Sequence, residues 1–295
     1  MSIPMGRQGG NRCPPAFFVP ESQRDRPRSD NRFRERSKKN MAYEHIEVEF
    51  RDGLGTITLN RPPVNILNIA MMGEINEVLE GWQGKKDLKL VLFDARGKCF
   101  SAGVDVGEHM GDLAPKMIHA FHRMFRLMEG LGIPTLASVY GSCLGGGCEL
   151  AVFCDLVISS DDAKYGQPEI QVGVFPPIAA QIFPRIIGRK AAMELILSGK
   201  IIPASEALSM GLINRVVPKD ELKSATDEFA KPYLRLSAEV LRKTKKAITA
   251  GLMDDFDPSL KVIEDIYLNE LMNTADAQEG LKAFLEKRKP EWKNE

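Results

Sequence analysis

The sequence lacks the features that mark membrane and secreted proteins. No apolar run approaches the roughly 20 residues of a membrane-spanning helix, and the N-terminus has no hydrophobic signal segment. The five cysteines form no CxxC pair, and none lies near a histidine at zinc-site spacing. These absences favour a cytoplasmic protein with reduced thiols, no membrane partner and no metal. The 295 residues, 43% apolar and 27% charged, are typical of a globular protein with a substantial core.

The net charge of the whole chain is zero, but the first 40 residues are positively charged. They contain ten Lys or Arg against four Asp or Glu, with five prolines and few aliphatic residues. Because such a segment buries too little apolar surface to offset the entropy of ordering, we predict a disordered basic arm at 1–40. Met41 is then the expected natural start. Nucleic-acid binding through the arginines of the arm is the less favoured alternative.

From Met41 onward, strand and helix periodicities alternate. Residues 46–59 predict a hairpin that turns at Asp52-Gly53. Beyond it, helical spacing covers 71–82, 116–129 and 148–153, and short apolar runs that predict strands cover 88–93, 133–140 and 155–159. This alternation predicts an α/β domain with repeated crossovers.

Two glutamates stand in apolar, glycine-containing segments that are otherwise uncharged. Glu149 follows three glycines in LGGGCEL, and Glu169 lies in GQPEI. Burying a lone carboxylate is costly, so this pair indicates titratable groups kept from water for general acid/base chemistry. The bland alternative for Glu149 is a helix cap, because it falls in the first turn of a predicted helix.

The glycine run itself predicts unpaired backbone amides. A strand that turns through Gly145–Gly147 into a helix leaves N–H groups free at the helix N-terminus, where negative charge is favoured. The loop at 101–103 is a second source of amides for the same oxygen. Close packing of the helix on a strand would require the same glycines, so both interpretations stay open.

Three segments resemble the signatures of the enoyl-CoA hydratase/isomerase, or crotonase, superfamily: FSAGVD at 100–105, LGGGCELA at 144–151 and GQPEI at 166–170. ITLNRP at 57–62 and FLEKRKP at 284–290 also match, in the same order. The resemblance implies the crotonase (ClpP-like) fold, a spiral of ββα units. It implies a core at 41–232 that holds the active site. It further implies a helical region at 233–295 that covers this site and forms subunit contacts.

The resemblance also implies a reaction. Backbone amides of Ala102 and Gly146 would form an oxyanion hole for a thioester enolate, while Glu149 and Glu169 would hold a water molecule and move its protons. Members that keep both carboxylates generally hydrate, so hydration is favoured over isomerisation. CoA would be part of the substrate, without a separate cofactor, and the assembly would be a homotrimer or a hexamer.

Further residues are implied to bind the acyl-CoA substrate: Ser101, Asp105, Pro177 and Ile178. A loop-capping role is the competing interpretation of Asp105. Where straight-chain hydratases have a glycine-rich run, this chain has PPIAA at 176–180, which stiffens the segment and reshapes the pocket wall. This variant resembles the cyclohexa-1,5-diene-1-carbonyl-CoA hydratases of anaerobic benzoyl-CoA degradation. Hydration of a linear enoyl-CoA, double-bond isomerisation and an RNA-binding relative are the alternatives.

Other reactive residue types favour ordinary roles. We expect His109, His119 and His122 to occupy polar helix positions, since no third metal ligand is evident. Cys148 is expected to be a packed core thiol. The basic cluster at 242–246 predicts a solvated helix face, with contact to CoA phosphates as the alternative.

Overall fold

The structure is a computed structural model that describes residues 43–251 and 256–291. The predicted arm at 1–40 lies outside the described residues, and so its disorder stays a prediction. Within the described ranges, no helix is long and apolar enough to cross a membrane.

Nine strands within residues 43–251 and 256–291 form two sheets. The strands are β1 (Ile46–Arg51), β2 (Leu54–Leu59), β3 (Leu90–Ala95), β4 (Thr135–Val139), β5 (Ser142–Leu144), β6 (Leu156–Ser160), β7 (Lys164–Gly166), β8 (Ile201–Pro203) and β9 (Arg215–Val217). The larger sheet has the order β1-β2-β3-β4-β6-β9 and is parallel except for the β1–β2 hairpin. The hairpin turns at Asp52 and Gly53, both with positive φ, as the sequence predicts.

The described part of the chain also contains ten α-helices, which lie among and beyond these strands. They are α1 (Ile69–Gly81), α2 (Leu113–Leu131), α3 (Gly146–Phe153), α4 (Pro177–Ile186), α5 (Gly188–Ser198), α6 (Ala204–Ser209), α7 (Leu222–Leu234), α8 (Ala238–Gly251), α9 (Phe256–Asp265) and α10 (Ala275–Leu285). The apolar face of α2 is buried in the main core, as its helical periodicity predicts. The predicted domain boundary at 232/233 falls inside α7 and stays a prediction.

The smaller sheet positions the glutamate segments. Its order is β5-β7-β8, and β5 and β7 are parallel, with Leu144 paired to Gly166. The sequence prediction placed the glycine run directly after β4, which is wrong because β5 intervenes. Since the carboxyl ends of parallel strands meet at one edge of a sheet, the segments that carry Glu149 and Glu169 leave the sheet side by side.

The basic residues of α8 attach this helix to the domain. Arg242 donates to the carbonyls of Lys85 and Leu88, and Lys245 Nζ donates to the carbonyl of Ile133 and, at 2.8 Å, to Asp155. The predicted solvated face therefore does not hold for Arg242 and Lys245.

The histidines of α2 differ from each other. His119 is exposed, but His122 is fully buried, and its Nδ1 lies 2.9 Å from Glu264 Oε1. The expectation of an ordinary polar position is therefore wrong for His122. In the part of the chain that the structure describes, no cluster of three potential ligands could hold a metal ion.

Candidate active site

Glu149 is buried in the first turn of α3. Its side chain is 2% exposed, and its Oε1 accepts a hydrogen bond of 2.8 Å from the amide of Ala179 in the first turn of α4. Burial raises the pKa of Glu149 to about 7, and the amides of Ala179 and Ile178 oppose part of that rise by stabilising the carboxylate. The carboxylate thus binds the N-terminus of a neighbouring helix instead of its own.

Glu169 lies on the short 3-10 helix Pro168–Val172. When the side-chain amide of Gln167 is oriented to satisfy both groups, it donates to both carboxylate oxygens at 3.2 Å. Glu169 is half-buried, and part of its surface faces a cavity. Burial and the negative charge of Glu149 raise the pKa of Glu169 well above its ordinary value.

The glycine run allows this close approach. Gly145 has a φ of 51°, and a Cβ at this position would lie 2.7 Å from Glu169 Oε1. A Cβ on Gly146 would overlap the side chain of Val104, so this side chain packs directly against the backbone of Gly146. The glycines therefore do serve close packing.

Some backbone amides near the glutamates donate hydrogen bonds within the protein, and others have no acceptor among the described residues. Gly103 O and Asp105 N both bond to Leu67, each at 2.9 Å, so the amide of Val104 between them points the other way. Within 43–251 and 256–291, the amides of Val104 and Gly146 have no hydrogen-bond acceptor.

The amide of Ala102 donates to the carbonyl of Val64 at 2.9 Å. Since this hydrogen is already used, the structure contradicts the predicted oxyanion role of Ala102. Val104 takes its place beside Gly146 as the residue with a free amide, and the role of Gly146 stays a prediction.

One cavity of about 330 Å³ unites most of the predicted site. Ala102, Gly146, Glu149, Glu169 and Pro177 line it. Pro177, which has no N–H to lose, occupies the first helical position of α4 and leaves the following amides for Glu149.

The structure does not bring the other predicted substrate-binding residues, Ser101, Asp105 and Ile178, to the cavity wall. Ser101 is buried, and its Oγ donates to the carbonyl of Asn65 at 2.7 Å. Asp105 Oδ1 accepts from the amide of Gly107 at 3.0 Å, as its loop-capping interpretation predicts. Ile178 is a fully buried core residue.

A family model described as enoyl-CoA hydratase/isomerase matches residues 49–295. The chain belongs to the enoyl-CoA hydratase/isomerase family. It is an enoyl-CoA hydratase-type lyase of the crotonase superfamily, and both the predicted family and the predicted fold class are confirmed.

The relatives of this hydratase differ in their named substrates. The cyclohexa-1,5-dienecarbonyl-CoA hydratase of Thauera aromatica is 40% identical over 245 residues, which cover 83% of this chain and 95% of that relative. The crotonyl-CoA hydratase of Syntrophomonas wolfei is 35% identical over 256 residues, covering 84% and 98%. An enoyl-CoA hydratase structure from Mycobacterium avium subsp. paratuberculosis has a TM-score of 0.76 at 29% identity, covering 85% and 99%.

The hydratase cavity also contains residues that sequence reasoning did not assign to it. His109, Phe121, Phe175 and Tyr267 line its walls. His109 Nδ1 lies 2.9 Å from the carbonyl of Asp105, and burial lowers the pKa of His109. His109 therefore lies at a polar helical position, on the 3-10 helix Val106–His109, but this position borders the cavity. A signal near His109 was present in the FSAGVD segment at 100–105, whereas Tyr267 has only a helical apolar spacing.

Proposed function

We propose that this enzyme adds water across the α,β double bond of an enoyl-CoA thioester and that Glu149 and Glu169 both act in the reaction. The observation that carries the proposal is that two carboxyl groups with raised pKa values line the same apolar cavity. A group that takes a proton and another that gives one are what addition of water requires.

The environments of the two carboxyl groups favour different roles. Ionised Glu149 is stabilised by amides of α4, and its charge favours the protonated form of Glu169, so the pair shares one proton near neutral pH. Glu149 then accepts a proton from the water molecule while the water oxygen bonds to Cβ of the substrate. Glu169 gives its proton to Cα. The next turnover begins when Glu149 has lost the proton that it accepted and Glu169 is protonated again.

The thioester oxygen becomes negatively charged as Cα and Cβ change their bonding. The free amides of Val104 and Gly146 are the donors that we assign to this oxygen. One such donor is typically worth about 2.7–4 kcal/mol of transition-state stabilisation.

We further propose cyclohexa-1,5-diene-1-carbonyl-CoA as the acyl substrate. The name of the Thauera relative supports it, as do the aromatic side chains of Phe121, Phe175 and Tyr267, which offer flat apolar surfaces to a ring. Pro177 at the wall adds a rigid apolar surface. A linear enoyl-CoA is the competing substrate, since the Syntrophomonas relative is named for crotonyl-CoA.

Incubation with cyclohexa-1,5-diene-1-carbonyl-CoA and, in parallel, crotonyl-CoA tests this proposal. The mass of each product is followed, and we expect the gain of one water with faster conversion of the ring. Faster conversion of crotonyl-CoA would keep the reaction and refute the ring substrate. A shifted double bond without a gain in mass would identify an isomerase and refute hydration.

A further inference from the structure

Tyr267 is a buried tyrosine in the C-terminal helical region whose ring faces the active-site cavity. It lies in a π-helical turn, Ile266–Glu270, that directly follows α9. Its side chain is 1% exposed, and it lines the cavity together with Glu149 and Glu169. π-Helical turns are rare and frequently occur at functional sites.

Neighbouring rings fix the phenol. The ring of Phe175 packs edge-on against Tyr267 with centroids 5.3 Å apart, and the imidazole of His109 is 6.5 Å away. These contacts hold the ring of Tyr267 without involving its hydroxyl.

No hydrogen bond of the Tyr267 hydroxyl is found within residues 43–251 and 256–291, and its oxygen, unlike that of Tyr165, is not among the fully enclosed unpaired atoms. A hydroxyl that lines a cavity and has no protein partner is expected to bind what enters the cavity. Burial and the negative charges of Glu169 and Glu149 raise the pKa of Tyr267, which keeps the hydrogen on the phenol oxygen. Tyr267 is therefore a donor that lies within the electric field of both carboxyl groups.

Neither glutamate is free to supply this hydrogen bond, because ionised Glu149 carries no hydrogen and the hydrogen of Glu169 is the one that is given to Cα. The water molecule gives one hydrogen to Glu149 and is oriented by Glu169. Its oxygen has two lone pairs, and one of them attacks Cβ. The remaining lone pair can accept a hydrogen bond, and ionised Glu149 has no hydrogen to offer.

We propose that the Tyr267 hydroxyl donates a hydrogen bond to the oxygen atom that the enzyme adds to the substrate. In the hydration direction this oxygen belongs to the water, and in the reverse direction it is the β-hydroxyl that leaves. The phenol hydrogen stays on Tyr267 throughout. This inference rests on the proposed hydration, because only that reaction places an oxygen on Cβ.

Binding of a matched pair of thioesters tests the inference directly. 3-Hydroxybutanoyl-CoA carries the β-hydroxyl, and butanoyl-CoA is the same molecule without it. We expect the wild-type protein to bind the hydroxylated thioester more tightly. In Tyr267→Phe the preference should fall about tenfold, the usual upper range for one neutral hydrogen bond. The affinity for butanoyl-CoA should stay within about twofold of the wild-type value, because the ring remains.

Tyr165→Phe is the matched control. Tyr165 is a fully buried tyrosine of β7 that does not line the cavity, and its hydroxyl is also unpaired within the described residues. This variant should keep the wild-type preference. An unchanged preference in Tyr267→Phe, or no preference in the wild type, would overturn the role of Tyr267. Failure of the proposed function is distinguishable, since the wild type would then bind both thioesters but add no water to crotonyl-CoA or to the cyclic diene.

Discussion

The two segments that carry the carboxyl groups share a cavity but are held in different ways. Glu149 belongs to a regular helix of the main core, and an amide of α4 holds its carboxylate. Glu169 belongs to a short 3-10 helix on which α10 packs so closely that Gly280 of α10 contacts the backbone of Val172. The difference shows how one residue type can take two roles: amides favour the charged form of Glu149, while its charge favours the neutral form of Glu169.

The core and the C-terminal helices contribute different parts of the site. The core supplies Glu149 and the free amides of Val104 and Gly146. The C-terminal helices supply Tyr267 and, through α10, Leu281 and Phe284 to the cavity wall beside Glu169. A substitution near Glu169 therefore affects the contact between the core and the C-terminal helices, whereas a substitution of Glu149 affects the core alone.

The largest expected effect concerns the cost of burying Glu149. Because its pKa rises from 4.5 to about 7 on folding, the folded protein binds more protons than the unfolded chain between these values. The stability of the wild type should therefore fall as pH rises through this window. Glu149→Gln removes the cost, so the variant should be more stable than the wild type by up to about 3 kcal/mol at pH 8, with no difference below about pH 4.5.

Urea unfolding at both pH values measures this effect. Glu129→Gln, at an exposed position near the end of α2, is the control and should change stability little at either pH. A Glu149→Gln variant whose stability relative to the wild type is the same at both pH values would refute the raised pKa.

A smaller effect is expected at the glycine that contacts Glu169. Gly145→Ala adds a Cβ 2.7 Å from Glu169 Oε1 at a positive φ, which should cost about 1–3 kcal/mol of stability. Displacement of Glu169 should also lower hydration about tenfold or more, since general acid/base catalysis depends on position. Thermal unfolding and initial rates measure both changes.

Gly73→Ala is the matched control for this substitution. Gly73 is exposed on α1, and a Cβ there would meet no atom within 4 Å. This variant should gain about 0.5–1 kcal/mol of stability and keep its rate. Equal rates in Gly145→Ala and the wild type would show that Glu169 tolerates displacement.

Much of this fold could be predicted from periodicity because the long elements have a buried face. The hairpin β1–β2 and the amphipathic helix α2 follow directly from the spacing of their apolar residues. The three-residue strands β5, β7 and β8 could not be predicted, since three residues are too few to show an alternation. The sheet that sets the glutamate segments side by side was therefore missed.

Site residues could be predicted where they belong to a sequence motif. They could not be predicted where their role depends on contacts with residues that are distant in the sequence. The glycine and glutamate segments led to Glu149, Glu169 and Gly146, which the structure places at one cavity. Which amide of the 101–105 loop is free depends on bonds to Val64 and Leu67, and these are long-range contacts without a local signal. For the same reason the sequence contains no local signal that distinguishes Tyr267 from the other apolar residues of the C-terminal helices.

The rate of water addition by Glu149→Gln and by Glu169→Gln shows whether both carboxyl groups act in hydration. Each variant keeps the shape of its side chain but loses the ability to take or give a proton. The account predicts a loss of turnover of about 10²-fold or more in each, with the affinity for butanoyl-CoA retained. If either variant keeps turnover near the wild-type value, one carboxyl group is sufficient, and the account of two carboxyl groups that share one proton is contradicted.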